Sequence, residues 1–195
     1  MDRYSSLNGK KHNFLLNYIS NRKERKRVMI TFGVVAILFL IGFLFISYFY
    51  EQWLTENMRG YKGTFKKMGS IARIGFFVTL LIYPIFLLLK WKPFRKITLG
   101  KFELKTLLQF IGRLVRQWHV PSAILSTGIV LLHGYMAILK GIKWDFTYFS
   151  GVITIFVLFL LMFMGLKRYK KKDKNLHFKI AIVFFILFML HTIFA

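Results

Sequence analysis

The sequence predicts an all-α fold: a polytopic membrane bundle of about five transmembrane helices plus a helix lying at the cytoplasmic surface. Two observations carry this. The chain is 56% hydrophobic with 23 phenylalanines, yet its formal charge is +23. Apolar and basic residues must therefore be segregated, and they are: apolar runs of roughly 19 to 23 residues, the length that spans a ~30 Å hydrocarbon core, alternate with short stretches rich in lysine and arginine. The runs lack the alternation of a barrel strand, and in lipid only a helix or a closed barrel pairs its own backbone groups. No internal repeat divides the chain, so residues 1–27 read as a basic N-terminal segment and residues 28–195 as one transmembrane domain.

The opening segment, MDRYSSLNGKKHNFLLNYISNRKERKR, lacks the compact plan of a signal peptide, and the run after it is long enough to remain as an anchor. Five spans are expected, at Val28–Tyr50, Ile71–Lys90, His119–Leu139, Tyr148–Leu166 and His177–Ala195. Pro84 should kink the second, and Pro121 should sit in the first turn of the third, where proline is tolerated. Between the second and third spans, Ile97–Trp118 mixes Phe102, Leu104, Leu107, Phe110 and Leu114 with Lys101, Lys105, Arg113 and Arg116. It is too polar to span and is expected as a helix on the cytoplasmic surface.

Lysine and arginine counts orient the bundle. Segments 1–27, 90–118 and 167–176 hold 8, 8 and 6, against 5 and 2 in segments 51–73 and 140–147. That is 22 against 7, which places the N-terminus in the cytoplasm and the C-terminus outside. Trp118 on the inner side, with Trp53 and Trp144 on the outer, occupy aromatic-belt positions. The basic clusters lie between spans, where they meet anionic headgroups. No nucleic-acid recognition motif accompanies them, so no nucleic-acid partner is expected. Cysteine is absent, which excludes disulfides, iron–sulfur clusters, thiolate haem ligation and thiol catalysis.

Histidines carry the chemistry. His119 and His133 lie fourteen residues apart in the third span, and His177 and His191 fourteen apart in the fifth. Fourteen residues give a rise of about 21 Å and a rotation about 40° short of four turns, so each pair shares one helix face at two depths. With one span between them the two helices run parallel, which sets His119 opposite His177 and His133 opposite His191. Neutral imidazoles are good axial iron ligands, and two on facing helices can clamp a porphyrin with both axial positions filled. Four define two haems stacked across the bilayer, with electron transfer as the favoured chemistry. Ser122, Ser126 and Gly128 are small residues near the histidine face of the third span. Phe184, seven residues from both His177 and His191, falls midway between the levels. Arg116, Arg73 and Lys179 are candidates to neutralise haem propionates. Helix–helix hydrogen bonding and topology signalling are the plainer explanations of these histidines and cations. Zinc would find only two histidines per cluster and no nearby carboxylate.

RLVRQWHVPSAILSTGIVLLHG followed by NLHFKIAIVFFILFMLH resembles the ferric reductase-like transmembrane family, which includes ferric reductases, NADPH oxidases and the haem subunit of a bacterial methionine sulfoxide reductase system. The resemblance covers about residues 110–195, and the R-x-x-R-x-x-H lead-in with paired histidines is its most specific part. It implies that His119, His133, His177 and His191 are axial ligands of two b-type haems, that Phe184 is the aromatic between them, and that electrons pass outward. The family pattern usually has six spans against five here, and many members continue into a cytoplasmic FAD and NAD(P)H domain. This chain ends four residues after His191 and has no G-x-G-x-x-G fingerprint, so the expected donor is a quinol or a separate flavoprotein. The expected acceptor is extracytoplasmic: ferric iron, an oxygen species or a partner protein. Function is thus expected to be transmembrane electron transfer, as an oxidoreductase in its own right or as a subunit of one, in a bacterial cytoplasmic membrane. A non-redox bundle, a transporter or an assembly subunit, is the alternative. Against it, Asp2, Glu24, Glu51, Glu56, Glu103, Asp145 and Asp173 all fall outside the spans, leaving no intramembrane carboxylate for ion coupling.

Overall fold

The computed structural model describes residues 18–93, 98–99, 102–170 and 174–195. The first helix opens at Asn21, whose side-chain oxygen accepts the backbone N–H groups of Lys23 and Glu24. This helix, α1, runs over Arg22–Thr55, so the last six residues of the basic N-terminal segment already belong to it. Val28 and Ile46 are its buried residues, whereas Phe32, Ile37, Leu40 and Leu44 face outward. A helix that is apolar on every side belongs in lipid.

The second helix, α2, spans Met58–Leu80 behind an Asn57 cap that accepts the Gly60 N–H, and α3 (Ile82–Lys90) follows after a one-residue break at Leu81. Pro84 causes the break: it has no N–H for the Leu80 carbonyl, and its ring crowds that carbonyl. The start expected at Ile71 is corrected to Met58. MRGYKGTFKKMGS reads as a basic, glycine-rich loop, but Tyr61, Phe65 and Met68 recur at helical spacing and pack with Ile46, Leu132 and Met136. Tertiary burial outweighs weak propensity there.

A separate surface helix does not form. After a two-residue antiparallel ladder, β1 (Thr98–Leu99) with β2 (Phe102–Glu103), one helix, α4, runs unbroken over Leu104–Leu139. The expected surface segment from Leu104 to Trp118 is its first portion; Ile97, Gly100 and Lys101 lie outside the described residues. Pro121 is accordingly in the helix interior and buried, not in a first turn. Its missing N–H would orphan the Gln117 carbonyl, and the Arg27 guanidinium donates to that carbonyl at 3.0 Å. A charged side chain from α1 thus repairs the proline defect in α4. Gly141, at φ +104°, lies in the turn beyond α4, a backbone region that favours glycine. Asp145 then caps α5 (Phe146–Tyr169) by accepting the Tyr148 N–H at 2.8 Å, and α6 covers Lys174–Phe194.

Helices α1, α4, α5 and α6, together with the α2–α3 pair, give five helical units long and apolar enough to cross a membrane. The chain is an all-α integral membrane bundle. Chief packing joins α2 to α4 and α5 to α6, with α1 against the outside of α4. On that outer seam the pairing is reciprocal: Gly42 of α1 accommodates Leu132, and Gly128 of α4 accommodates Val35. Ser47 and Tyr135 hydrogen-bond across the seam at 2.7 Å, and the Tyr61 hydroxyl donates to the Met136 carbonyl between α2 and α4. Phe76 and Phe77 of α2 meet Phe188 of α6, and Gly134 of α4 lies against Ile155 of α5. Helices α4 and α6 are therefore linked through α2 and α5 rather than by an extensive face of their own.

Candidate functional site: two levels of paired histidines

All four intramembrane histidines are partly buried, and they gather in two pairs. His119 and His177 are electrostatic neighbours, as are His133 and His191. The levels join α4 to α6 across the bundle, although these helices share no extensive packing face.

Three of the four rings are braced by a neighbouring helix. The His119 Nδ1 lies 3.0 Å from the Thr79 carbonyl, and the His133 Nδ1 lies 3.1 Å from the Phe65 carbonyl, both on the α2 side. From α6, the His191 Nδ1 lies 3.1 Å from the Thr147 carbonyl and 3.2 Å from Ser150 Oγ on α5. A carbonyl only accepts, so Nδ1 carries the proton in these three rings and the lone pair resides on Nε2. The His177 Nδ1 faces the Leu161 carbonyl but makes no hydrogen bond of normal geometry. Phe65 also stacks on the His133 ring, with centroids 4.1 Å apart and planes 22° apart.

No Nε2 of the four takes part in a hydrogen bond among the described residues, and none is fully buried. Each thus keeps some exposed surface and no protein partner among the described residues. Among the described residues no three His, Asp or Glu side chains gather, so a closed protein-only metal site of the zinc type is not built there. Two imidazoles per level, with Nδ1–H held by a backbone or hydroxyl oxygen in three of the four rings, are instead the kind of donor set that haem iron takes. Arranged this way, the residues could hold one such group per level.

Between the levels lies an aromatic layer. Phe184 is 2% exposed and packs with Phe76, Leu158 and Phe188. Its ring meets Phe76 edge-on at 5.3 Å and stacks with Phe188 at 5.7 Å. Spacing along α6 singles out Phe184, but its Phe76 partner from α2 was not legible. Two of the small residues expected beside a macrocycle have other duties: Ser126 is packed against Gly75 of α2, and Gly128 receives Val35 of α1. Sequence spacing gave their helix but not the neighbour each one faces.

Among the candidate cations, Arg73 is exposed and lies well inside α2, not at the end of a span, a consequence of the early start of that helix. Arg116 and Lys179 are also exposed, and the Arg116 guanidinium stands 5.6 Å from the Phe86 ring centroid. The cation whose charge reaches both His119 and His177 is Arg168, near the end of α5. It went unrecognised in the sequence because it belongs to a run of basic residues that topology alone accounts for. The same end of the bundle is tied by Tyr169 donating to Glu24 at 3.1 Å and by Arg25 donating to the Ile19 carbonyl at 3.1 Å. Comparison of this chain with protein-family models, with curated proteins and with solved structures yields no match.

Proposed function

We propose that this protein is a dihaem b-type membrane cytochrome, related to the ferric reductase-like proteins, which carries electrons across the bilayer. The observation supporting this reading is the pairing of four partly buried histidines, His119 with His177 and His133 with His191, whose Nε2 atoms have no hydrogen-bond partner among the described residues. His119 and His177 would hold one iron, and His133 and His191 the other. Haem, when bound there, would supply one-electron redox chemistry. The chain's own work is to fix ring orientation through the Thr79, Phe65 and Thr147 carbonyls, to keep water out with the Phe76, Phe184 and Phe188 layer, and to offer Arg168 to an anionic substituent near the His119 level. Phe184, set between the levels, would space the two irons.

In this reading the N-terminus is cytoplasmic, the donor is a quinol or a separate flavoprotein, and the acceptor is extracytoplasmic, in a bacterial cytoplasmic membrane. Arg116, Arg73 and Lys179 remain proposed propionate partners alongside Arg168. One experiment tests the core of it: pyridine haemochrome analysis with a reduced-minus-oxidised spectrum of purified protein. Two haem b per chain is the expected result, and a colourless protein refutes it. Oxidation of a quinol analogue by the purified protein, with and without ferric iron, then separates an oxidoreductase from a relay subunit.

A second reading has its own supporting observation. Three of the rings already bond to carbonyls of neighbouring helices, as histidines in a non-redox bundle do. That reading gives no role to the Nε2 lone pairs, and it predicts the colourless outcome.

A further inference from the structure

The geometry points to Gly69 and Gly151 as positioning residues: each is the seat that lets one imidazole of the His133/His191 pair dock its Nδ1 on a backbone carbonyl. This rests on the dihaem reading for its functional consequence and on the geometry alone for its structural one.

In an α-helix the carbonyl of residue i points toward the amide of residue i+4. A ring that reaches that carbonyl over residue i+4 passes where a Cβ would stand. His133 docks on the Phe65 carbonyl, and i+4 from Phe65 is Gly69. His191 docks on the Thr147 carbonyl, and i+4 from Thr147 is Gly151. A Cβ at Gly69 would meet the His133 ring at 3.0 Å from Cε1 and 3.3 Å from Nδ1; one at Gly151 would meet the His191 ring at 2.9 Å and 3.3 Å. Contacts that short oblige the ring to shift, and the ring is the group held by the hydrogen bond.

The two rings of the other level fit the same pattern. His177 faces the Leu161 carbonyl, and i+4 is Gly165, but a Cβ there would stand at an ordinary 3.7 Å. That ring makes no hydrogen bond to its carbonyl and needs no tight seat. His119 docks on the Thr79 carbonyl, where i+4 is Tyr83; the break at Leu81 intervenes, and Tyr83 is turned out to stack on Phe178. Helix interruption does at that seat what glycine does at the others.

Gly69→Ala and Gly151→Ala test the assignment, with Gly165→Ala and Gly33→Ala, which has nothing within 4 Å, as controls. Alanine is the better helix former, so loss of helix propensity cannot explain a defect. The expected result is that each seat variant alters the low-spin electron paramagnetic resonance signal and midpoint potential of one haem, or lowers haem from two to one per chain, while both controls keep the wild-type values. Seat variants indistinguishable from wild type would overturn the assignment. In a His133→Ala background, Gly69→Ala should change nothing further, because the ring it accommodates is gone; an additional loss of folding or haem would mean that Gly69 serves helix packing. Should wild-type protein bind no haem, the dihaem reading falls, and nitrogen-15 NMR of labelled histidine still decides the seats. The Nδ1–H tautomer of His133 and His191 is expected in wild type and lost in the respective alanine variant; its persistence in both variants refutes the inference.

Discussion

Replacing Phe184 with alanine asks what the layer between the histidine levels contributes. In a water-soluble protein, Phe→Ala at a fully buried site costs ~3–5 kcal/mol, because transfer from water adds to the cavity left behind. In a bilayer the separated helices meet lipid, which is as apolar as the core, so most of the transfer part disappears. What remains is contact specific to the fold. Phe184 makes two ring pairs, edge-on with Phe76 at 5.3 Å and stacked with Phe188 at 5.7 Å. At ~0.5–1.5 kcal/mol per pair beyond area burial, the loss comes to about 1–3 kcal/mol. Reversible unfolding in bicelles, followed by steric trapping or by titration with a denaturing detergent, measures it. In the dihaem reading, haem content should stay at two per chain, since the ring partners of Phe184 are Phe76 and Phe188. A loss above about 4 kcal/mol would show that the layer is wetted when the bundle opens, and an unchanged stability would show that the rings are not packed as described. Phe184→Leu separates packing from relay: it should recover most of the stability, and haem-to-haem equilibration slowed only in the leucine variant would mark the ring as part of the electron path.

His133→Ala, His191→Ala and the double variant should each retain one haem, because both residues serve one level; additive loss to none would break the pairing. Tyr61→Phe removes the hydroxyl that donates to the Met136 carbonyl, which still accepts the Lys140 N–H at 3.1 Å, so unfolding in bicelles should register a cost of about 1 kcal/mol or less. Asp145→Ala deletes the α5 cap and should cost ~1 kcal/mol in the same assay, whereas Asp145→Asn should cost little. Arg27→Met leaves the Gln117 carbonyl unpaired beside Pro121; faster backbone amide exchange around residues 117–121 is the expected signature, and unchanged exchange would contradict the repair of that defect.

The spans and the histidine spacing were readable because both depend on periodicity along one helix. Hydropathy over about twenty residues fixes a span, and fourteen residues fix two positions on one face whatever lies opposite. Failures occurred where a neighbour decides. Met58–Ser70 is a helix because Tyr61, Phe65 and Met68 find Leu132 and Met136, contacts that no local pattern encodes. Continuity of α4 through Pro121 depends on an arginine ninety residues earlier. Gly128 and Gly151 look alike in sequence, yet one receives Val35 from α1 and the other an imidazole from α6. Spacing names the face, and only packing names its occupant.

Helix α4 has 36 residues and hence a length of about 54 Å, nearly twice the ~30 Å hydrocarbon core. That is roughly 24 Å more than one hydrocarbon thickness, and this mast is the same rod that bears His119 and His133. Whatever grips the mast grips the imidazoles too: a twist applied near Leu107 arrives at His119 undamped by any loop.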